Sequence, residues 1–143
     1  MSSFGNAGMS GTKGPGMKLI ATINAPVARG HYSQAVVHAG LVYVAGQLPL
    51  DASDPERRVE GIEGQARQVL GNVFAILEAA GSSREHILRA TVYIAGVEHW
   101  PAFNRVYAEM LGEHRPARTV VPVPALHYGY LVEMDAIAAL RDS

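Results

Sequence analysis

Three side chains of this 143-residue chain combine a reactive or binding type with a telling position. Arg118 follows Arg115-Pro116-Ala117 and opens the run Thr119-Val120-Val121. A guanidinium fixed behind a proline-bearing turn can grip a planar carboxylate through two parallel hydrogen bonds; a surface arginine at the same place would simply pair with a neighbouring acid. Glu133 lies in Leu131-Val132-Glu133-Met134-Asp135-Ala136-Ile137, where an extended strand puts Glu133 and Asp135 on one face. Two carboxylates interrupting an apolar strand cost free energy unless they are solvated, paired or put to use. Glu133 is therefore either an acid at the rim of the sheet or a group that orients and deprotonates a water. Tyr32, in Gly30-His31-Tyr32-Ser33-Gln34, is either a structural tyrosine or a pocket wall made by its ring and hydroxyl. If Arg118 and Glu133 lie on paired antiparallel strands, a six-residue loop sets them directly opposite and an odd-length one puts them on opposite faces; the sequence does not fix which.

Other chemistries find little support. The histidines, His31, His38, His86, His99, His114 and His127, are scattered without an i, i+4 pair, so no metal site is expected. Ser33 has no nucleophile elbow around it, and no glycine-rich loop follows a strand to cradle a nucleotide cofactor. The chain has no cysteine, which removes thiolate catalysis, disulfides and Cys-ligated zinc. Its 12 basic and 13 acidic residues leave a net charge of -1 and no basic stripe, so nucleic acid is not the expected partner. No apolar run reaches the ~20 residues that span a membrane, and a cytoplasmic location fits. Residues 1–17, rich in Gly and Ser and lacking the apolar core of a secretory signal, read as a flexible extension before one domain over 18–143.

The elements that must position these residues follow from periodicity. Lys18–Ile23 alternates as a first strand, and Gln34–His38 and Leu41–Ala45 around Ala39-Gly40 form a hairpin. Gly46-Gln47-Leu48-Pro49 ends it, and an exposed charged loop follows over Asp51–Arg58. Ala66, Val69, Leu70, Val73, Phe74, Leu77 and Ala80 recur at helical steps over Gly61–Ala80, with Arg67, Gln68, Asn72 and Glu78 mostly off that stripe and Gly81 at the stop. Arg89–Ala95 is a strand and Val97–Leu111 a helix with Trp100, Phe103, Val106, Tyr107, Met110 and Leu111 on one side. Arg118–Val123 and Tyr130–Leu140 complete an α+β layout, a mixed sheet with two helices on one face. Adjacent apolar residues such as Val42-Tyr43-Val44 and Val120-Val121 make both faces of the sheet apolar, so self-association is expected.

These segments together resemble a known family. Gly30-His31-Tyr32-Ser33-Gln34-Ala35, Val42-Tyr43-Val44-Ala45-Gly46-Gln47-Leu48-Pro49, Phe103-Asn104-Arg105-Val106-Tyr107, Arg115-Pro116-Ala117-Arg118-Thr119 and Val132-Glu133-Met134-Asp135-Ala136 are similar, in order, to the RidA/YjgF (L-PSP) family from about Ile20 to Leu140. The resemblance implies a chorismate-mutase-like domain, a homotrimer with pockets between subunits, and cofactor-free hydrolysis of reactive 2-imino acids or their enamines to 2-keto acids and ammonia. It implies that Arg118 binds the substrate carboxylate, that Glu133 holds the attacking water, and that Tyr32, Ala45, Gly46, Asn104 and Val120 contribute to the pocket. Ala45 departs from the Ser or Thr of many members, and Val120 from the cysteine of several, which bears on substrate preference. His127-Tyr128-Gly129-Tyr130 is more aromatic than the usual loop there. Competing expectations are a non-catalytic trimer that binds small carboxylates or acts as a chaperone-like module, and an endoribonuclease or translation inhibitor. The second is disfavoured by the near-neutral charge.

Overall fold

A computed structural model of the protein describes residues 10–12 and 16–142. The strands are β1 (Gly11–Thr12), β2 (Met17–Ile20), β3 (Ala35–His38), β4 (Leu41–Gln47), β5 (Ile87–Ile94), β6 (Ala117–Pro122) and β7 (Val132–Ala139), and the helices are α1 (Ile62–Ala80) and α2 (Trp100–Leu111). Most of the expected extension over 1–17 lies outside the described residues; Gly11–Thr12 pairs with β2 at Lys18 and Leu19.

The expected hairpin is present. Ala39 and Gly40 both take positive φ, 51° and 81°, and β3 and β4 pair antiparallel across them. That is the turn whose twist matches the strands, and glycine suits it best. Helix α1 starts one residue later than expected and closes on Gly81, whose N–H bonds the Glu78 carbonyl while Ser82 N–H reaches that of Leu77. The expected second helix divides: Val97–His99 is a single 3₁₀ turn, and the α-helix begins at Trp100 with Pro101 in its first turn.

The strand order is β1-β2-β3-β4-β7-β5-β6. The last strand inserts between β4 and β5 and pairs antiparallel with both, while β5 and β6 run parallel. Each helix therefore crosses over between parallel strands, and both pack on the same face of a mixed sheet, as the sequence predicts. The core lies between them: Val69, Leu70, Val73 and Leu77 of α1 and Phe103 and Val106 of α2 meet Val42, Val92, Met134 and Ala136 of the sheet. The Arg67–Glu109 and Arg105–Glu63 ion pairs link the helices at the surface. The face away from the helices carries Tyr43, Thr91, Tyr93, Glu133, Asp135 and Ile137 in register.

This topology resolves how Arg118 and Glu133 relate. Their strands are not neighbours, because β5 separates them. Arg118 is level with Ala90 and through it with Ala136, both in the helix-side core. Glu133 is level with Tyr93 on the other side. Residues in register share a face and alternate along each strand, so the two candidates lie on opposite faces.

Candidate functional site

All of the candidate residues except Val120 gather into two clefts. The first, of about 490 Å³, brings together Tyr32, Ala45, Gly46 and Glu133 with Arg29, Gln47, Leu48 and the aromatic pair His127 and Tyr128. Its floor is a defect in the sheet. Between β4 and β7 the register runs Val44–Ala136 and then Gln47–Met134, leaving an extra residue at Ala45-Gly46. Such a bulge bends a strand and re-aims its side chains. Gly46 there leaves room for the carboxylate: a methyl on its Cα would collide with Glu133 Oε2 and force that side chain to move.

Buried amides hold the loops of this cleft. Gln34 is buried, its Oε1 accepts from Thr22 N–H at 2.7 Å, and its Nε2 donates to the carbonyls of Thr22 and Pro26 at 3.1 and 2.8 Å. Asn72 Nδ2 donates to the Leu48 and Leu50 carbonyls at 3.1 and 2.9 Å. Gln65 Oε1 accepts from Leu131 N–H at 2.8 Å and its Nε2 donates to the Val59 carbonyl at 3.2 Å. Each amide replaces the hydrogen bonds that loop backbone would otherwise lose on burial. Asn72, expected off the core stripe of α1, is buried for this reason.

Glu133 is half-buried, and desolvation together with the charge of Asp135 pushes its carboxyl above the usual range, with His127 opposing. Asp135 is raised as well, by burial first, while hydrogen bonds from Tyr93 and Thr91 pull it down. The cleft thus holds a carboxylate that takes up a proton more readily than an exposed glutamate, which suits a base working near neutrality.

The second cleft, of about 390 Å³, lies at the β6 edge on the helix side and is lined by Asn104, Tyr107, Leu111, His114, Arg115 and Arg118 among others. The Arg118 guanidinium sits 4.8 Å from the Trp100 ring centroid and 4.7 Å from that of Tyr107, and Nη1 donates to Asn104 Oδ1 at 2.9 Å. Rings on this cation restrict it without neutralising it. Among the described residues no carboxylate pairs with Arg118, so the surface ion pair considered from sequence is not what it forms. Tyr107 Oη is buried without a hydrogen-bond partner among the described residues, and burial raises its pKa against the pull of Arg118. Val120, two residues on from Arg118, packs against the core. Sequence reasoning missed Trp100 and Tyr107 as the frame of Arg118, having read them as core at helical spacing. It also missed the bulge, whose one signal was a glycine inside a strand.

No three His, Asp or Glu side chains converge as a metal site would need, among the described residues. No helix there is long and apolar enough to cross a membrane.

A sequence profile described as Endoribonuclease L-PSP matches residues 22–140. A RutC family protein of Pyrococcus horikoshii is 43% identical over 121 residues, covering 85% of this chain and 96% of that protein. A 2-iminobutanoate/2-iminopropanoate deaminase of Capra hircus is 38% identical over 121 residues, 85% of this chain and 88% of that one. The crystal structure of Escherichia coli TdcF with bound serine superposes with a TM-score of 0.80 at 35% identity, over 85% of this chain and 97% of that one.

Proposed function

The chain belongs to the endoribonuclease L-PSP family, and from that premise we propose that it hydrolyses reactive 2-imino acids and their enamine tautomers to 2-keto acids and ammonia. The observation that carries the reading is the unneutralised guanidinium of Arg118, caged by Trp100 and Tyr107 and facing a cleft. Caged in this way, it is ready for a ligand carboxylate, and a planar guanidinium binds one in a single orientation. Relatives named 2-iminobutanoate/2-iminopropanoate deaminase support the chemistry, and a relative holding serine supports a ligand of amino-acid skeleton.

The carbon of a protonated imine is already electrophilic, so the protein supplies position and a water. Arg118 holds the carboxylate. Glu133 accepts a proton from water as its oxygen bonds to C2 and the C=N electron pair moves to nitrogen. That proton then passes to the nitrogen of the carbinolamine; as the C–N bond breaks and ammonia leaves, Glu133 takes the remaining hydroxyl proton and the keto C=O forms. No redox step or cofactor is needed. Tyr32, Ala45 and Gly46 wall the site beside Glu133, with Asn104 and Val120 beside Arg118.

Because Arg118 and Glu133 occupy opposite faces of one sheet, the proposed site is composite: Arg118 from one protomer and Glu133 from the next, in a homotrimer. Cyclic closure lets every copy give one of each. A cytoplasmic location belongs to the same proposal.

The test generates 2-iminopropanoate in situ from alanine with an amino-acid oxidase and follows its loss. Wild type accelerates it, and Arg118→Ala falls by on the order of a hundredfold or more. An Arg118→Ala enzyme as fast as wild type overturns the carboxylate role, and an inactive wild type leaves the non-catalytic binding module as the better reading.

A further inference from the structure

We infer that Tyr128 is a specificity-determining residue of the Glu133 cleft, selecting imino acids with an aromatic or branched apolar side chain over the smallest ones. The inference rests on the deaminase reading and names the side-chain class for that same site.

The part of the site that one protomer supplies around Glu133, before the next brings Arg118 to it, is already large for a three-carbon substrate. Its volume of about 490 Å³ falls in the ~300–1,000 Å³ range of pockets for drug-sized ligands. Pro26, Val27, Leu48 and Leu50 give it apolar walls, and a second cleft of about 290 Å³ adjoins it through Pro26, Val27 and Leu50. The carboxylate and imine of any 2-imino acid are small and polar, so this apolar space is left for the side chain.

Tyr128 is held over the same cleft at a conformational cost. Its φ of 59° and ψ of 18° lie in the left-handed region, where an L side chain crowds the following carbonyl. Glycine would occupy it without strain, and Gly129 beside it also has positive φ. Two contacts secure the strained turn. Arg58 Nη2 donates to the Tyr128 carbonyl at 3.0 Å, and its guanidinium lies 4.3 Å from the Tyr130 ring centroid. The Tyr128 ring then lies 3.9 Å from that of His127, tilted by 55° to it, and edge-on to Tyr130 at 6.4 Å, with the residue 63% exposed. Strain retained where glycine would remove it points to a use for the side chain. An aromatic face at the mouth of an apolar-walled cleft contacts a large apolar group and offers a methyl little.

The experiment compares kcat/KM for imines made in situ from phenylalanine and leucine with that for the imine from alanine. Wild type favours the larger imines by about tenfold or more. Tyr128→Gly lowers that ratio about tenfold while its Tm stays level or rises, because glycine fits the turn. Tyr128→Phe keeps the ratio, and Arg58→Ala lowers it by releasing the turn. A ratio unchanged in Tyr128→Gly, or a wild type that favours the alanine-derived imine, overturns the inference and leaves the deaminase reading intact. A wild type that accelerates loss of none of the imines removes both.

Discussion

The Glu133 cleft and the Arg118 cleft are built by opposite strategies. Around Glu133 the backbone does the shaping: a bulge at Ala45-Gly46, loops tied by Gln34, Gln65 and Asn72, and a turn clasped by Arg58. The charge there is under pressure to take up a proton, since burial and Asp135 both disfavour the carboxylate. Around Arg118 the side chains do the shaping, with Trp100 and Tyr107 flanking a cation and Asn104 fixing one nitrogen. One cleft unsettles an acid and the other holds a cation with no acidic partner among the described residues, and the sheet keeps them apart. Two half-sites of complementary charge, each incomplete alone, are what a symmetric assembly can join.

The largest effect that would sharpen this contrast comes from mixing. Arg118→Ala and Glu133→Gln are each expected to be nearly inactive, yet co-refolded together they recover up to about a quarter of the wild-type rate. That share follows if the protein forms the proposed trimer, in which random mixing leaves one interface of each mixed assembly pairing an intact Arg118 with an intact Glu133. Recovery measured by imine loss supports the composite site; none at all in verified mixed trimers breaks it. Next comes Gly46→Ala. Its new methyl drives Glu133 aside, lowering kcat by up to about a hundredfold while leaving the Kd for a keto acid, set by Arg118, within about twofold. A matching loss of affinity would mean that the two clefts are not separable in this way.

The smallest effect concerns stability and runs against activity. The folded protein binds a proton on Glu133 more readily than the unfolded chain does. Its contribution therefore becomes less favourable as pH rises from the ordinary glutamate range through the raised folded value. Glu133→Gln removes that penalty, so the variant should melt above wild type at neutral pH, the gap closing below about pH 4. Thermal melts across that range check it; a variant less stable at neutral pH would mean that Glu133 is stabilised by contacts rather than burdened by burial.

Much of the fold was open to reading because it depends on local periodicity. The stripe Ala66–Ala80, the Ala39-Gly40 turn and the alternation of Val132–Ala138 each place an apolar face, and those faces admit few arrangements other than two helices on a sheet. What escaped was non-local. Asn72 reads as a polar residue off the core stripe, and only the approach of the Leu48–Leu50 loop makes it a buried brace. Trp100 and Tyr107 read as core, and only the β6 edge turns them into a cage for Arg118.

The amino-acid order by itself singled out the candidate residues, because side-chain type and the turn or strand around it are local properties. It also determined that the sheet would have one face open. Where the carriers stand relative to one another was decided by tertiary structure, through the insertion of β7 between β4 and β5. Strand pairing between distant segments is set by the packing of the whole core, and a change of neighbour moves a side chain to another face or another strand without altering a single local signal.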